Sequence, residues 1–350
     1  MDFQQQFILI RNTFLGDIQI RYYGIIIVTA MIVAAWVATR LAQGRKFDPD
    51  HVWGALTWGI FPGIIGARLW FVLFPPAELV ANGQDTAWFF ANFFNTTNGA
   101  IAIWSGGLGI FGAVLGGLLG VWLYFSPLHN TVARLFYVIF YPLTLVLDFI
   151  AWLPTTLIAR VRGGAFQPFK LPRFETTFPT TGMPMLGWLD IGAVVLPLAQ
   201  FIGRWANYVN QELYGTPTNL SWWGIPIDFP NRVAPYTSPF DYPQGTLFHP
   251  LFLYEGLWSL VAFFILLNLY QKNRNRFKAG DFMLLYVMQY TFIRFWLEFI
   301  RVEVAYLPGT TINSSQTASV VLFALALVFF LIRRGQSTKP YDEATALASA

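Results

Sequence analysis

The sequence predicts an all-α polytopic membrane protein of seven transmembrane helices, with its N-terminus outside and its C-terminus cytoplasmic. Three observations carry that prediction. Of 350 residues, 55% are hydrophobic and 11% charged, whereas soluble domains carry about 25% charged residues; the surplus apolar surface therefore faces lipid. Seven apolar runs, near 23–42, 54–74, 100–125, 186–204, 249–270, 281–300 and 316–333, approach the roughly 20 residues a helix needs to cross a bilayer. Basic residues, finally, concentrate in alternate connections between the runs. A soluble enzyme is excluded, and a net charge of +4 drawn from so few ionisable groups does not describe a nucleic-acid surface.

Taken in order, the first run follows Met1 to Arg21, which holds Asp2, Arg11, Asp17 and Arg21 and lacks a small-residue cleavage pattern. That run is therefore read as a retained helix and not a signal peptide. Arg40, Arg45 and Lys46 follow it, no Lys or Arg lies between Pro75 and Ala100, and Arg134, Arg160, Arg162, Lys170 and Arg173 follow the third run. Arg232 stands alone between Asn210 and Pro250, while Lys272, Arg274, Arg276 and Lys278 follow the fifth run and Arg333, Arg334 and Lys339 the last. The positive-inside rule then sets the orientation. An eighth apolar stretch, near 135–159, contains Pro142, Asp148 and Pro154 between basic flanks; it is read as a re-entrant or interfacial segment, because one more crossing would invert everything after it. The resulting division is an external N-terminal arm (1–22), one integral-membrane domain (23–333) with a cytoplasmic insert (about 131–181) and an external loop (about 210–248), and a cytoplasmic tail (334–350).

The informative residues break the positive-inside pattern. Arg68 falls in the outer third of the second run, Arg204 at the outer end of the fourth and Arg294 in the outer half of the sixth, with Arg301 just beyond. Ionisable groups at that depth cost several kcal/mol unless they are paired or line a polar cavity. Glu212, Glu255, Glu298 and Glu303 lie at the same level, so ion pairing between helices is one reading. Tyr290, Arg294, Glu298 and Arg301 recur at helical spacing, and so do Arg204, Asn207 and Gln211, with Asn210 and Glu212 beside them; two polar faces then converge. Paired arginines suit phosphate oxygens, which makes a phospholipid head-group seat the second reading and a path for a small anion, in a transporter or channel, the third. The inner halves of the fourth and sixth runs offer mainly Asp190 and Asp281, which favours lateral lipid access over a through-path. In the third run Gly112, Gly116 and Gly120, spaced by four, predict close helix packing. There is no cysteine, and His51, His129 and His249 form no pair at metal-binding spacing, so no metal site and no thiol nucleophile are expected. Lipase, metalloprotease and nucleotide-hydrolase motifs are missing too.

The stretch G-R-W-A-N-Y-V-N-Q-E-L-Y-G, Gly203 to Gly215, resembles the signature of the prolipoprotein diacylglyceryl transferases, bacterial inner-membrane enzymes that place diacylglycerol on the lipobox cysteine of preprolipoproteins. Similarity extends to R-Y-Y-G at Arg21, G-A-R-L-W-F-V-L-F at Gly66, I-W-S-G-G-L at Ile103, H-P-L-F-L-Y-E-G at His249 and R-F-W-L-E-F-I-R at Arg294, in family order over most of the chain. The resemblance implies that Tyr23, Arg204, Asn207, Glu212, Gly215, Tyr290, Arg294 and Glu298 serve substrate binding or catalysis. Arg204, Arg294, Tyr290 and Asn207 are the expected catalytic set, with Arg68, Asn210, His249 and Glu255 added as substrate-binding residues. It implies as partners phosphatidylglycerol, signal peptides bearing a lipobox cysteine and the bilayer itself, with no cofactor and a site toward the outer leaflet. Two departures stand out. Many members carry a histidine where this chain has Phe111, so any general base must be another group, with Tyr290, Glu212 and His249 as candidates. The insert near 131–181 is also longer than usual.

Overall fold

The computed structural model describes residues 7–13, 16–45, 47–103, 106–126, 128–161, 168–171, 185–272, 276–304, 306 and 310–335. They belong to two compact units, Met1–Pro49 with Gly182–Ala350 and Asp50–Thr181.

The first unit opens with an antiparallel hairpin, β1 (Phe7–Thr13) and β2 (Gly16–Arg21), in which Ile8 pairs with Ile20 and Ile10 with Ile18. This hairpin occupies most of the segment expected as the external N-terminal arm. It leads into α1 (Tyr22–Gln43), which buries Ala30, Ala34, Ala35, Ala38 and Ala42; small side chains at helical spacing let α1 lie close against α7 (Met185–Asn210). α8 (Leu251–Lys272) and α9 (Asp281–Leu297) pack on α7, and α10 (Ser314–Gly335) packs on α9. The start of α9 is pinned by polar groups: the Asp190 carboxylate accepts from the N–H groups of Gly280 (2.7 Å) and Met283 (3.1 Å), and Asp281 pairs with Arg333 at 3.0 Å. Free N–H groups at a helix start are thus satisfied from a neighbouring helix. The opposite ends of α7 and α9 carry the candidate site.

Between α7 and α8 the chain folds into a small lobe in which β3 (Ile225–Pro226) pairs with β4 (Leu247–Phe248). Tyr214, Ile227 and Phe248 form its core. Buried Arg232 donates to the carbonyls of Ile227 (2.8 Å), Tyr242 (2.6 Å) and Pro243 (3.3 Å), so the single basic residue of this loop closes it and does not face a ligand.

The second unit contains α2 (Asp50–Leu73), the short α3 (Ala77–Ala81) and α4 (Thr86–Ala91), α5 (Ile110–Phe125) and α6 (His129–Val161). The expected glycine stripe does pack α5 on α2: a Cβ on Gly112, Gly116 or Gly120 would collide with the carbonyl oxygens of Gly66, Pro62 and Trp58. α5 begins at Ile110 and not near 100, because Gly106 and Gly107 adopt φ of +89° and +67°, a left-handed backbone that no helix continues.

Among the described residues five helices, α1, α2, α7, α8 and α10, are long and apolar enough to cross a membrane, and α5 with the start of α6 makes a sixth if that bent pair is one span. The other two of the seven runs fold as shorter helices, α5 of 16 residues and α9 of 17. The segment read as re-entrant or interfacial is one continuous 33-residue helix, α6. The sharp change of direction, 108°, falls before it, between Phe125 and His129. Pro142 and Pro154 lie inside α6 without ending it; beside them Thr144 donates to Tyr141 O (2.9 Å) and Thr155 to Trp152 O (2.8 Å). The tail beyond Gly335, residues 1–6 of the arm and most of the insert after Val161 lie outside the described residues.

Candidate active site

The last turns of α7 supply the first half of the site. Arg204 and Asn207, three residues apart, share a helix face, and the Arg204 Nη1 donates to Asn207 Oδ1 at 3.3 Å. Its other nitrogen, Nη2, forms an ion pair with Glu255 of α8. Asn207 in turn donates from Nδ2 to Glu212 Oε1 (2.8 Å). Glu212 reaches back because α7 ends through left-handed residues, Gln211 at φ +53° and Leu213 at φ +56°, and the Glu212 N–H returns to Asn207 O at 3.0 Å. Gln211 locks this turn by accepting from the Asp228 N–H (2.7 Å) and donating to Asp228 Oδ2 (2.9 Å).

α9 supplies the second half. Arg294 and Glu298 form an i,i+4 ion pair at 3.0 Å, the Glu298 side chain being 0% exposed. The ring of Tyr290 stacks on that of Tyr286, with centroids 6.2 Å apart and planes 9° from parallel. The charges of Glu255, Arg204, Arg294 and Arg301 all act on the Tyr290 phenol. Arg301 lies past the end of α9, yet Arg204, Arg294 and Arg301 line one cavity with Asn207 and Glu255, against the apolar walls of Leu251, Phe252 and Leu297. Burial, and then the neighbouring Arg294 guanidinium, lower the Arg301 pKa from its usual value; the group stays charged, but the crowding of cations favours an anion between them. Glu255 and Glu298 pair with Arg204 and Arg294, while the charges of Glu298, Glu303 and Glu255 reach Arg301.

The remaining expected residues fall into three places. Tyr23, at the start of α1, is close enough for the charges of Glu212 and Arg204 to act on its phenol. Gly215 carries backbone: its N–H donates to His249 O (2.9 Å), and a Cβ there would sit 2.8 Å from both His249 Cβ and Ile300 O, so only glycine fits. The His249 ring, outside the cavity lining, meets the Tyr254 hydroxyl at 3.1 Å, and Asn210 ends α7 without lining the cavity. Arg68 departs from the expectation of an anion partner. Its guanidinium donates to the carbonyls of Gly99 (2.6 Å), Ala100 (2.9 Å), Gly106 (2.6 Å) and Gly107 (3.2 Å), which makes it the organiser of the turn before α5. Phe111, on that helix, packs on Trp70 with centroids 5.5 Å apart. Within the spans, counting ionisable residues alone overlooked amides: Gln200, four residues before Arg204, donates to the Tyr286 hydroxyl at 2.9 Å, and Gln289 accepts from Trp258 Nε1 at 2.9 Å.

Several helices long and apolar enough to span a bilayer, with a cavity walled by arginines at the ends of α7 and α9, define a polytopic membrane protein. The family model for prolipoprotein diacylglyceryl transferase matches residues 12–132 and 130–332. The chain belongs to that family. A phosphatidylglycerol–prolipoprotein diacylglyceryl transferase of Chloroflexus aggregans is 33% identical over 93% of this chain and 90% of its own length. Proteins of the same name from Prochlorococcus marinus and Pediococcus pentosaceus are 28% and 29% identical, covering 93% and 91% of this chain and 93% and 88% of their own lengths.

Proposed function

We infer that this protein transfers the diacylglyceryl group of phosphatidylglycerol to the lipobox cysteine thiol of preprolipoproteins, forming a thioether and releasing glycerol phosphate. Family membership supports the reaction, and the observation that carries the site is the meeting of Arg204, Arg294 and Arg301 on one cavity. The peptide thiolate attacks the glyceryl carbon that bears the phosphate; the C–S bond forms, the C–O bond breaks with its electron pair on oxygen, and the thiol proton ends on the released phosphate monoester. A phosphodiester becoming a monoester gains negative charge in the transition state, and guanidiniums fixed in a low-dielectric groove stabilise that gain. The same cations favour ionisation of an incoming thiol, whose ordinary pKa is about 8.5. No dedicated base is required at Phe111. The acceptor sulfur belongs to the substrate, which is how a chain without cysteine performs sulfur chemistry.

Asn207 holds Arg204 and Glu212 in register, and Glu255 and Glu298 fix the two guanidiniums; Tyr290 stands among their charges, and its hydroxyl can donate to a phosphate oxygen in the proposed reaction. The protein functions in the bacterial inner membrane with this cavity toward the outer leaflet, a reading supported by the alternation of basic residues between the apolar runs. The test is mass spectrometry of a lipobox peptide incubated with the purified protein and phosphatidylglycerol. A peptide carrying the added diacylglyceryl mass is the expected product; an unmodified peptide would refute the reading.

A further inference from the structure

We propose that two buried glutamine amides, Gln289 and Gln200, bind the ester groups of the donor lipid about one helical turn inward of the arginine cavity. The proposal rests on the function inferred above and adds the part of the lipid that the arginines do not touch.

Gln289, on α9, accepts a hydrogen bond at Oε1 from Trp258 Nε1 (2.9 Å). An indole N–H can only donate, so this contact fixes the amide orientation and leaves Nε2 as the remaining donor. That Nε2 is buried and has no hydrogen-bond partner. Gln200, on α7, spends one end of its amide on the Tyr286 hydroxyl (2.9 Å), and its other end is likewise buried without a partner; because a phenol both donates and accepts, either end of this amide can face a ligand. Each glutamine therefore already makes one contact between helices and holds a second polar atom that helix packing does not use. In a bilayer core, where water cannot compensate, an unpaired amide group costs several kcal/mol.

Depth identifies the ligand. Gln200 lies four residues inward along α7 from Arg204 and Gln289 five residues inward along α9 from Arg294, which at about 1.5 Å per residue places the amides roughly 6–8 Å below the arginines. A phospholipid with its phosphate among Arg204, Arg294 and Arg301 has, on its inward side, two ester groups and then only hydrocarbon. The ester carbonyls are the sole acceptors at that level, and they match an amide N–H donor.

The test compares diester phosphatidylglycerol with its diether analogue, which lacks both carbonyls, as donors in detergent micelles with the full-length protein and a lipobox peptide. The expected result is a KM about tenfold higher for the diether in the wild type, the size of a lost hydrogen bond or two. Gln289→Leu should raise the KM for the diester about tenfold and leave that for the diether within about twofold. Gln200→Leu is the second variant should Gln289→Leu fail to fold, and the wild-type comparison needs no variant. Equal KM values for the two lipids in the wild type, or an equal rise for both in a folded variant, would overturn the proposal. Transfer from neither lipid would instead refute the inferred function and this proposal with it.

Discussion

At the level of single residues, the site is a chain of held guanidiniums, and each holding contact makes a different prediction. Arg204 bridges Asn207 and Glu255 with two separate nitrogens, a fork that an ammonium cannot reproduce. Arg204→Lys is therefore expected to lose at least about a hundredfold in turnover, the scale of a lost transition-state donor, while its thermal stability in detergent stays near that of the wild type; wild-type turnover would sink this assignment. Arg294 and Glu298 should part company. Glu298 is wholly enclosed against Arg294, whose own side chain is 19% exposed, so Glu298→Ala leaves that guanidinium without its partner and should lower the thermal unfolding midpoint in detergent. Arg294→Ala, which opens onto the cavity, should abolish turnover. Equal losses of both stability and activity in the two variants would instead give Glu298 a direct chemical part. Phe111 tests the arginine-centred account from the other side: it packs on Trp70 and moves no proton, so Phe111→His should change the rate less than about tenfold. A hundredfold gain with a new titration near the imidazole pKa of about 6.5 would show that the thiol had lacked a base.

Among the elements, what was legible in the sequence was periodicity, and what was not was backbone. Gly112, Gly116 and Gly120 announce a close helix contact by spacing alone, and α5 does meet α2 there. Replacing Gly116 by Leu drives a side chain against the Pro62 carbonyl, a backbone atom that cannot rotate away. Overpacking of that kind typically costs about 1–3 kcal/mol, and thermal unfolding in detergent should register it, while Gly24→Leu, with nothing within 4 Å of its Cβ, should leave stability unchanged. Arg68 shows the limit. Its depth and charge are the same signal that singles out Arg204, yet its partners are the backbone carbonyls of Gly99, Ala100, Gly106 and Gly107, and carbonyls leave no mark in a sequence. Depth and charge alone therefore do not tell a backbone-holding guanidinium, Arg68, from one that lines a cavity, Arg204. Gln200 and Gln289 illustrate the converse, since neutral amides inside apolar runs escape any count of ionisable groups, although their spacing from Arg204 and Tyr290 was readable.

For the molecule as a whole, the membrane class follows from composition, whereas the sides on which its connections lie follow from charge bias, and the two rest on different physics. Apolar composition counts helices but is blind to direction; lysine and arginine bias carries direction because moving cations outward is unfavourable during insertion. α6 sharpens the question, because a continuous 33-residue helix is long enough, at about 1.5 Å per residue, to cross a bilayer, and a crossing there would reverse every later element. The absence of cysteine from the chain makes this measurable without background. Single substitutions at exposed positions, Asn82→Cys and Thr237→Cys for the connections expected outside and Asn130→Cys and Gln271→Cys for those expected inside, can each be challenged in spheroplasts with a membrane-impermeant maleimide. Asn82→Cys and Thr237→Cys should label in intact spheroplasts, and Asn130→Cys and Gln271→Cys only after lysis. If α6 were a full crossing, Asn82→Cys and Asn130→Cys would keep this pattern while Thr237→Cys and Gln271→Cys exchanged theirs. Arg204, Arg294 and Arg301 would then open toward the cytoplasm, and the outer-leaflet placement of the site would fail even if the transferase reaction stood.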